Sequence, residues 1–397
     1  MTQGAARLRM GLVGGGEGSF IGPVHRMAAE LDGRIELVCG AFSADALRSK
    51  RSGGALYGLP GDRCYATFEE MFRAEAELDE NERMHFVTVA VPNHLHYPVA
   101  RGALEAGFHV VSDKPVTFDL DEARKLEALV AETGLLFGLT YNYTGYPMVR
   151  EARHLVHTGA FGDIRRVIVE YIQGWLAEPL ERAGNRQAEW RTDPERSGAA
   201  GCIGDIGTHG ENLAAYVTGL TITELCADLT AFVPGRPLDD DGNVLLRFDN
   251  GARGVLFASQ VAVGEENGLR LRVYGERGGL EWSQMEPNTL VVRWPDRPAE
   301  LRRTGAPGTS PAAGAATRLP AGHPEGFLEA FAVIYRNFAA ALRARLDGDA
   351  PPADSEDFPT IADGVRGMAF VETAVESARR GAWVPFGTPH GAAPPSS

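Results

Sequence analysis

The sequence contains few cysteines. Only four occur among its 397 residues, at Cys39, Cys64, Cys202 and Cys226. No two of them form the C-x-x-C pair typical of zinc sites, and their wide separation argues against a disulfide framework. We therefore expect four reduced thiols and no structural metal.

Long hydrophobic runs and positive charge are also in short supply. No segment approaches the ~20 apolar residues needed to span a membrane, and the first nine residues lack the apolar region of a signal peptide. The formal net charge of -14 would repel phosphate backbones and anionic membrane surfaces. These features predict a soluble, cytoplasmic protein with no nucleic-acid partner and no membrane partner.

The first part of the chain has the pattern of a doubly wound α/β domain. Hydrophobic residues make up 44% of the sequence, and a chain longer than roughly 250 to 300 residues usually divides into two domains. Between Leu8 and Thr140, short apolar runs alternate with amphipathic stretches, which is typical of parallel strands covered by helices. The predicted strands are Arg9 to Val13, Ile35 to Ala41, Phe86 to Val91, His109 to Ser112 and Leu135 to Thr140. We assign residues 1–143 to a Rossmann-like domain.

The remainder predicts an α+β domain with a large, mostly antiparallel sheet, over residues 144–386. Its apolar residues alternate, and turn signals separate the runs. The predicted strands are Ile164 to Ile172, Asn243 to Phe248, Gly254 to Val261 and Leu269 to Tyr274. Phe327 to Arg343 has helical spacing. Arg303 to Pro320 is rich in Gly, Ala and Pro and is predicted to be a surface loop, and residues 387–397 a disordered tail.

A glycine-rich segment follows the first predicted strand. Gly14 and Gly16, with Gly15 between them, fit the first two positions of G-x-G-x-x-G, a pattern whose backbone N–H groups hold a pyrophosphate at a helix N-terminus. The third position is Ser19, and Gly22 fits it only if the turn is three residues longer than usual. An ordinary tight turn is the alternative, but the preceding strand and the motifs downstream favour a dinucleotide site.

The end of the second strand normally carries an acidic residue that binds the ribose hydroxyls of NAD. In this chain Ser43 leaves room for the 2′-phosphate of NADP, and Arg48 or Lys50 could pair with that phosphate. Asp45 could equally serve NAD. The choice between NAD and NADP stays open, with NAD slightly favoured.

Three further motifs occur in an order that points to a known family. They are Val91-Pro92-Asn93-His94-Leu95-His96, Asp113-Lys114-Pro115 and Asp205-Ile206-Gly207-Thr208-His209. With Gly22-Pro23-Val24-His25 they resemble the glucose-fructose oxidoreductase and inositol dehydrogenase family, often abbreviated Gfo/Idh/MocA. The resemblance covers nearly the whole chain.

The resemblance implies roles for individual residues. Lys114 would contact substrate and the nicotinamide ribose, with Asp113 replacing the usual Glu of an E-K-P motif. Asp205 would contact the substrate hydroxyl, and His209 would act as general base. Trp190 and Arg191 resemble a W-R loop that reaches the cofactor, although plain packing is an equal alternative.

The chemistry supports this assignment independently. Oxidising a secondary alcohol removes a proton from oxygen as hydride leaves carbon, and histidine has the unperturbed pKa, about 6.5, best suited to accept that proton. A lysine beside the reacting carbon stabilises developing alkoxide charge. If their segment is helical, Asp205 and His209 share a face, since they are four residues apart.

Other candidates follow the carboxyl ends of predicted strands, the edge at which such sheets bind ligands. Pro92, Asn93 and His96 are predicted to bind the cofactor. Tyr141, like Tyr143, could line the substrate pocket or belong to the core. His94 and His96 lack a third ligand cluster, so metal binding is rejected.

The sequence therefore predicts an NAD(P)-dependent dehydrogenase that acts on a secondary hydroxyl, or the matching ketone, of a sugar, glycoside or inositol. One alternative is a glycoside lyase that uses NAD for transient oxidation, and another is a non-catalytic nucleotide-binding sensor. The resemblance implies a homodimer or homotetramer.

Overall fold

The apolar runs of the first third form a five-stranded parallel sheet in this computed structural model, which describes residues 6–352 and 355–387. The strands are β1 Leu8–Gly14, β2 Ile35–Ala41, β3 Phe86–Ala90, β4 His109–Ser112 and β5 Phe137–Leu139, in the order β2-β1-β3-β4-β5. Every pair is parallel, and all residues of β3 and β4 are buried, as expected for a sheet with helices on both faces. The predicted Rossmann-like architecture is confirmed.

Helices connect these strands. They are α1 Ile21–Glu30, α2 Ala46–Tyr57, α3 Phe68–Glu77, α4 His96–Glu105 and α5 Leu120–Thr133. Their ends follow local sequence signals: the side chain of Thr67 accepts a hydrogen bond from Glu70 N at the start of α3, and Gly134 ends α5 with a positive φ of 63°.

The second sheet has nine strands within the part of the chain that the structure describes. They are β6 Ile164–Ile172, β7 Ile222–Thr230, β8 Asp241–Phe248, β9 Arg253–Ser259, β10 Gly268–Gly275, β11 Gly279–Ser283, β12 Thr289–Arg293, β13 Glu300–Arg303 and β14 Val384–Pro385. The strand order is β13-β12-β11-β10-β6-β9-β8-β7-β14. Only β6 and β9 pair in parallel, so the predicted mostly antiparallel sheet is confirmed.

Helices cover one face of this sheet, and within residues 6–352 and 355–387 no helix covers the other face. The covering helices are α6 Pro147–His157, α9 Thr208–Thr218 and α12 Ile361–Arg380. Two short helices, α7 Arg186–Arg191 and α8 Pro194–Ser197, precede α9. On the uncovered face Leu245 of β8 is 48% exposed, whereas its neighbours Val244 and Leu246 are buried.

The prediction of a surface loop over Arg303 to Pro320 is wrong, because the segment contains a short helix, α10 Pro311–Ala316, which buries Ala313 and Ala316. Ser310 caps this helix by accepting a hydrogen bond from Ala313 N, and its own N–H donates to Glu151 Oε2 of α6 at 2.7 Å. Ala313 is buried. The small residues that suggested a loop instead allow close packing against α6.

The predicted helix after residue 326 forms α11 Phe327–Asp347, and it packs on the first sheet. Phe338 contacts Phe86 of β3 with ring centroids 5.2 Å apart. Tyr335 lies beside Thr88 of β3 with their hydroxyls 3.0 Å apart. The domain division between residues 143 and 144 stays a prediction. Helix α11 lies in the second predicted domain, yet it completes the core beneath the parallel sheet.

No helix within the described residues is long and apolar enough to cross a membrane. The predicted tail lies outside the described residues from position 388 onward.

Candidate active site

Lys114 and Asp205 meet at the carboxyl edge of the parallel sheet. Lys114 follows β4, and its Nζ donates to Asp205 Oδ1 at 2.8 Å and to the Asp205 carbonyl oxygen at 2.6 Å. Both side chains are 13% exposed, so the ion pair is screened far less than a surface pair. The two motifs predicted to act together are thus in direct contact, 91 residues apart in sequence.

Asp205 lies on a π-helical turn, Ile203–Gly207, that leads directly into α9. The segment is therefore helical, as the prediction required, but π instead of α, a geometry frequent at functional sites. Asp239 anchors the start of this turn, since its carboxylate accepts hydrogen bonds from Gly201 N at 2.7 Å and Ile203 N at 2.8 Å. No sequence motif marks Asp239, and the prediction missed it.

The second carboxylate oxygen of Asp205 also has two partners. Arg191 Nε lies 3.1 Å from Oδ2, and Gln260 Nε2 donates to the same atom at 2.9 Å. Burial by itself would raise the pKa of Asp205, but the Lys114 and Arg191 cations outweigh it and hold that pKa well below its usual range. The carboxylate is therefore ionised at neutral pH.

His209 is buried beside this ion pair. Its ring is edge-on to three aromatic rings, with centroid distances of 4.9 Å to Tyr143, 5.5 Å to Tyr141 and 6.0 Å to Tyr171. Burial, and then the Lys114 cation, hold the pKa of His209 well below 6.5. The imidazole is consequently neutral at neutral pH, the form that can accept a proton.

Tyr141 and Tyr143 hold His209 from two sides. Tyr141 is 1% exposed, and its hydroxyl lies against Gly367 of α12, where a Cβ would approach it to 2.3 Å. Tyr143 is 3% exposed and its hydroxyl lies 2.6 Å from that of Tyr171. In this geometry Tyr141 supports His209 from the core rather than lining an open pocket.

A polar and aromatic wall, missed at the sequence level, extends from Tyr171. Tyr171 donates to Asn267 Oδ1 at 2.8 Å, Gln173 Nε2 donates to the same oxygen at 2.8 Å, and Trp175 Nε1 donates to Gln173 Oε1 at 3.0 Å. The guanidinium of Arg191 lies 5.8 Å from the Trp175 ring centroid. Gln173, Trp175 and Asn267 are only partly buried. None of these residues belongs to a sequence motif. The alternate spacing of Tyr171, Gln173 and Trp175 at the end of β6 was the only sequence signal that they share a face.

Trp190 and Arg191 belong to the site by virtue of α7. Arg191 is the last residue of this helix and binds Asp205, and its guanidinium stacks over the Trp190 ring at 4.1 Å. The structure therefore brings the W-R pair to the carboxylate of Asp205.

Asp113 precedes Lys114 and is tied into the first sheet. Its Oδ1 accepts hydrogen bonds from Lys114 N at 3.0 Å and from Thr140 Oγ1 at 2.8 Å, and its Oδ2 lies 3.9 Å from Nε2 of the buried His25. His25 Nδ1 in turn lies 2.8 Å from the Tyr335 hydroxyl of α11. The shorter acidic side chain thus fixes the backbone beside Lys114.

The glycine loop has backbone contacts that exclude side chains. A Cβ at Gly14 would lie 2.1 Å from the Ala90 carbonyl oxygen, and one at Gly16 would lie 2.3 Å from that of Phe42. A Cβ at Gly22 would lie 2.2 Å from the Cα of Gly15. The close approach of Gly22 supports its assignment as the third glycine of the motif, with three extra residues in the turn.

The segment after β2 holds no acidic residue directly at the strand end. Ser43 Oγ accepts a hydrogen bond from Asp45 N at 3.2 Å. The Asp45 carboxylate caps α2 by accepting from Arg48 N at 2.7 Å. Ser43 and Arg48 are partly buried, whereas Asp45 and Lys50 are exposed.

The motif after β3 anchors the lysine loop. Both ring nitrogens of the buried His96 lie near carbonyl oxygens, at 2.6 Å from Pro115 O and 2.8 Å from Val91 O. Because both ring nitrogens face carbonyl oxygens of the protein, His96 positions the loop after Lys114 instead of offering a ring nitrogen to a cofactor. Asn93, next to Pro92, is 5% exposed and donates to Ser197 O of α8 at 2.9 Å.

Two protein-family models match this chain, one in its N-terminal part and one in its C-terminal part. Residues 8–141 match the oxidoreductase family with an NAD-binding Rossmann fold, and residues 149–281 match the GFO/IDH/MocA C-terminal domain. The chain belongs to the Gfo/Idh/MocA family. This confirms the resemblance drawn from the motifs, and the protein is an oxidoreductase with an NAD-binding domain.

Relatives of this Gfo/Idh/MocA protein match over most of their length. YfiI of Bacillus subtilis, an uncharacterized oxidoreductase, is 35% identical over 383 residues, 96% of this chain and 97% of YfiI. Levoglucosan dehydrogenase of Pseudarthrobacter phenanthrenivorans is 26% identical over 76% of this chain and 80% of its own length. An inositol dehydrogenase homolog from Azotobacter vinelandii, solved with NAD+, has a TM-score of 0.93 at 36% identity, covering 96% of this chain and 98% of that chain. The same protein was solved with NADH and myo-inositol, with a TM-score of 0.90 at 35% identity.

The residues of this chain fit a dinucleotide. The cradle formed by Gly14, Gly16 and Gly22 leaves the backbone bare, and the first turn of α1 carries no acidic residue, so the helix N-terminus favours an anion. Within the described residues no group of three or more His, Cys, Asp or Glu side chains is placed to hold a metal ion.

Proposed function

We propose that this protein oxidises a secondary hydroxyl on a polyol ring, such as an inositol, a sugar or a glycoside, with NAD(P), or reduces the matching ketone. The single observation that carries the proposal is the contact between Lys114 and Asp205 beside the neutral, buried His209. A cation, a fixed carboxylate and a base at one point suit the removal of a hydroxyl proton. Relatives that bind myo-inositol or are named for levoglucosan support a ring polyol.

Each residue has a distinct task in this proposal. A bound nicotinamide cofactor would supply the hydride acceptor. His209 receives the hydroxyl proton, and its low pKa keeps the ring unprotonated before the transfer. Lys114 stabilises negative charge on the substrate oxygen. Asp205 accepts a hydrogen bond from a substrate hydroxyl and holds Lys114 in place.

The cofactor half of the site is proposed for the carboxyl edge of the parallel sheet. Gly14, Gly15, Gly16 and Gly22 would hold the pyrophosphate on their backbone. Ser43 and Arg48 would face the adenine ribose, with NAD slightly favoured over NADP. Pro92, Asn93, Trp190 and Arg191 would surround the nicotinamide end.

The polar wall is proposed to recognise the ring hydroxyls. Gln173 and Asn267 offer amide donors and acceptors, and Trp175 offers a flat apolar face beside Arg191. A site built to bind a hydroxyl rejects an analogue that lacks it, because its own polar groups are then left unpaired.

A spectrophotometric screen tests the proposal. Purified protein is mixed with NAD+ or NADP+ and inositols, aldoses and glycosides, and reduced cofactor is followed at 340 nm. We expect net reduction with at least one ring polyol. Release of an aglycone without net reduction would instead identify a lyase, and tight NADH binding without turnover across the panel would identify a sensor.

We also propose a homodimer or homotetramer that assembles through the uncovered face of the nine-stranded sheet. Leu245, Val255 and Phe257 leave partly exposed apolar surface there, which is typical of an association surface. Light scattering that gives a monomer at micromolar concentration would refute this. A cytoplasmic location is proposed as well, supported by the four free thiols within the described residues.

A further inference from the structure

Arg186 is an exposed cation placed over the glycine loop. It is the first residue of α7, and its Nη1 would lie 3.8 Å from a Cβ on Gly18. Gly18 lies in the lengthened turn between Gly16 and Gly22 and has a positive φ of 85°. The lengthened turn thus lies close to an arginine contributed by the second half of the chain.

The guanidinium of Arg186 has no protein partner. Within residues 6–352 and 355–387, no carboxylate lies within ion-pair distance of it and no acceptor receives its N–H groups. Glu17, the acidic residue of the loop, is paired with Arg51 at 2.6 Å. Arg186 therefore contributes an uncompensated positive charge where the loop meets α7.

The same helix also reaches the reacting end of the site. Arg191, five residues further along α7, binds Asp205. At about 1.5 Å of rise per residue, the two arginines are roughly 7.5 Å apart along the helix axis. A cofactor lying from the glycine loop toward Lys114 would therefore run along α7 and meet a cation at each end of it.

We propose that Arg186 is a cofactor-binding residue whose guanidinium contacts the pyrophosphate over the three-residue extension of the glycine loop. A planar guanidinium forms paired hydrogen bonds with phosphate oxygens, which a bare glycine backbone cannot add by itself. In this proposal the extended loop and Arg186 contact the pyrophosphate together, the loop through its backbone N–H groups and Arg186 through its guanidinium. The inference rests on the NAD-binding domain and not on which polyol is oxidised.

Binding measurements on the whole protein test the proposal without any substrate. Dissociation constants are measured for NADH by fluorescence, and for ADP-ribose and adenosine by competition against NADH. For Arg186→Ala we expect the constants for NADH and ADP-ribose to rise about 10-fold, the size expected for a charge-assisted contact, and that for adenosine to stay unchanged. Arg186→Lys should fall between the two, and added salt should weaken the wild type more than the alanine variant.

Arg182→Ala is the matched control. Arg182 is also an exposed arginine of the same segment, but its guanidinium donates to the Pro234 carbonyl oxygen at 2.6 Å, away from the loop. Its removal should leave all three constants unchanged. The proposal is overturned if Arg186→Ala binds ADP-ribose as tightly as the wild type, or if adenosine weakens as much as ADP-ribose. Failure of the polyol screen would leave this result untouched.

Discussion

Replacing Gly22 by alanine tests whether this residue completes the glycine motif. The new Cβ would lie 2.2 Å from the Cα of Gly15, whereas ordinary contacts begin near 3.4 Å, so α1 and the loop must separate by about 1 Å. Gly15 cannot yield easily, because its φ of +72° is already a conformation that favours glycine. Overpacking of this kind costs about 1 to 3 kcal/mol. We expect the free energy of unfolding to fall by that amount.

The same displacement should weaken cofactor binding, because the loop and the first turn of α1 together form the proposed pyrophosphate site. Urea unfolding of the cofactor-free protein and fluorescence titration with NADH measure the two effects. Gly314→Ala is the control: Gly314 is in α10, nothing lies within 4 Å of its added Cβ, and alanine in a helix should stabilise by about 0.5 to 1 kcal/mol. If Gly22→Ala leaves stability and NADH affinity as in the wild type, Gly22 is not the third glycine of the motif and the proposed three-residue extension is wrong.

Three further predictions concern the site and the sheet beneath it. His209→Ala should lower turnover on an identified substrate by about 100-fold or more, with NADH affinity retained; wild-type turnover would contradict its role as base. Gln260→Leu removes one donor to Asp205 and should lower kcat/KM about 10-fold while NADH affinity stays constant, and an equal loss of both would point to a general structural defect. Burial, and then Arg345, lower the pKa of His109 to about 4, so the unfolded chain binds more protons than the folded one between pH 6.5 and 4. Folding stability should therefore fall as the pH falls through this range, by up to about 3 kcal/mol, and His109→Gln should show a smaller difference between urea unfolding at pH 7 and at pH 5.

Strands with a strong local signal were predictable to the residue. β2, β4 and β6 begin and end where their apolar patterns indicate. The short strands β12 and β13, at one end of the second sheet, were not predicted, because four or five residues carry little pattern of their own and become strands only by pairing with a neighbour. α10 was missed for the opposite reason, since its Gly and Ala residues are typical of loops and become helical through the Ser310 cap and contact with α6.

The predicted catalytic residues form one cluster in the structure. They could be predicted because the family motifs that carry them, around Lys114 and Asp205, are distinctive in sequence. Their supports were not predictable. Gln260 is 55 residues from Asp205, and Asp239 acts through backbone N–H groups of the π turn. A single amide or carboxylate has no spacing to identify it, and only the folded chain brings it to its target. His96 was predicted to bind the cofactor, but in the folded chain both its ring nitrogens face carbonyl oxygens. The sequence gives no sign of these two backbone contacts.

The packing of α11 against the parallel sheet has a consequence for how the protein is made. Phe338 and Tyr335 fill the space beneath β3, so the cofactor domain has an open core until residue 347 has left the ribosome. During synthesis the first 140 residues would expose apolar surface, and a fragment ending there should depend on chaperones or aggregate. Extending the fragment through α12 should restore a soluble product that binds NADH.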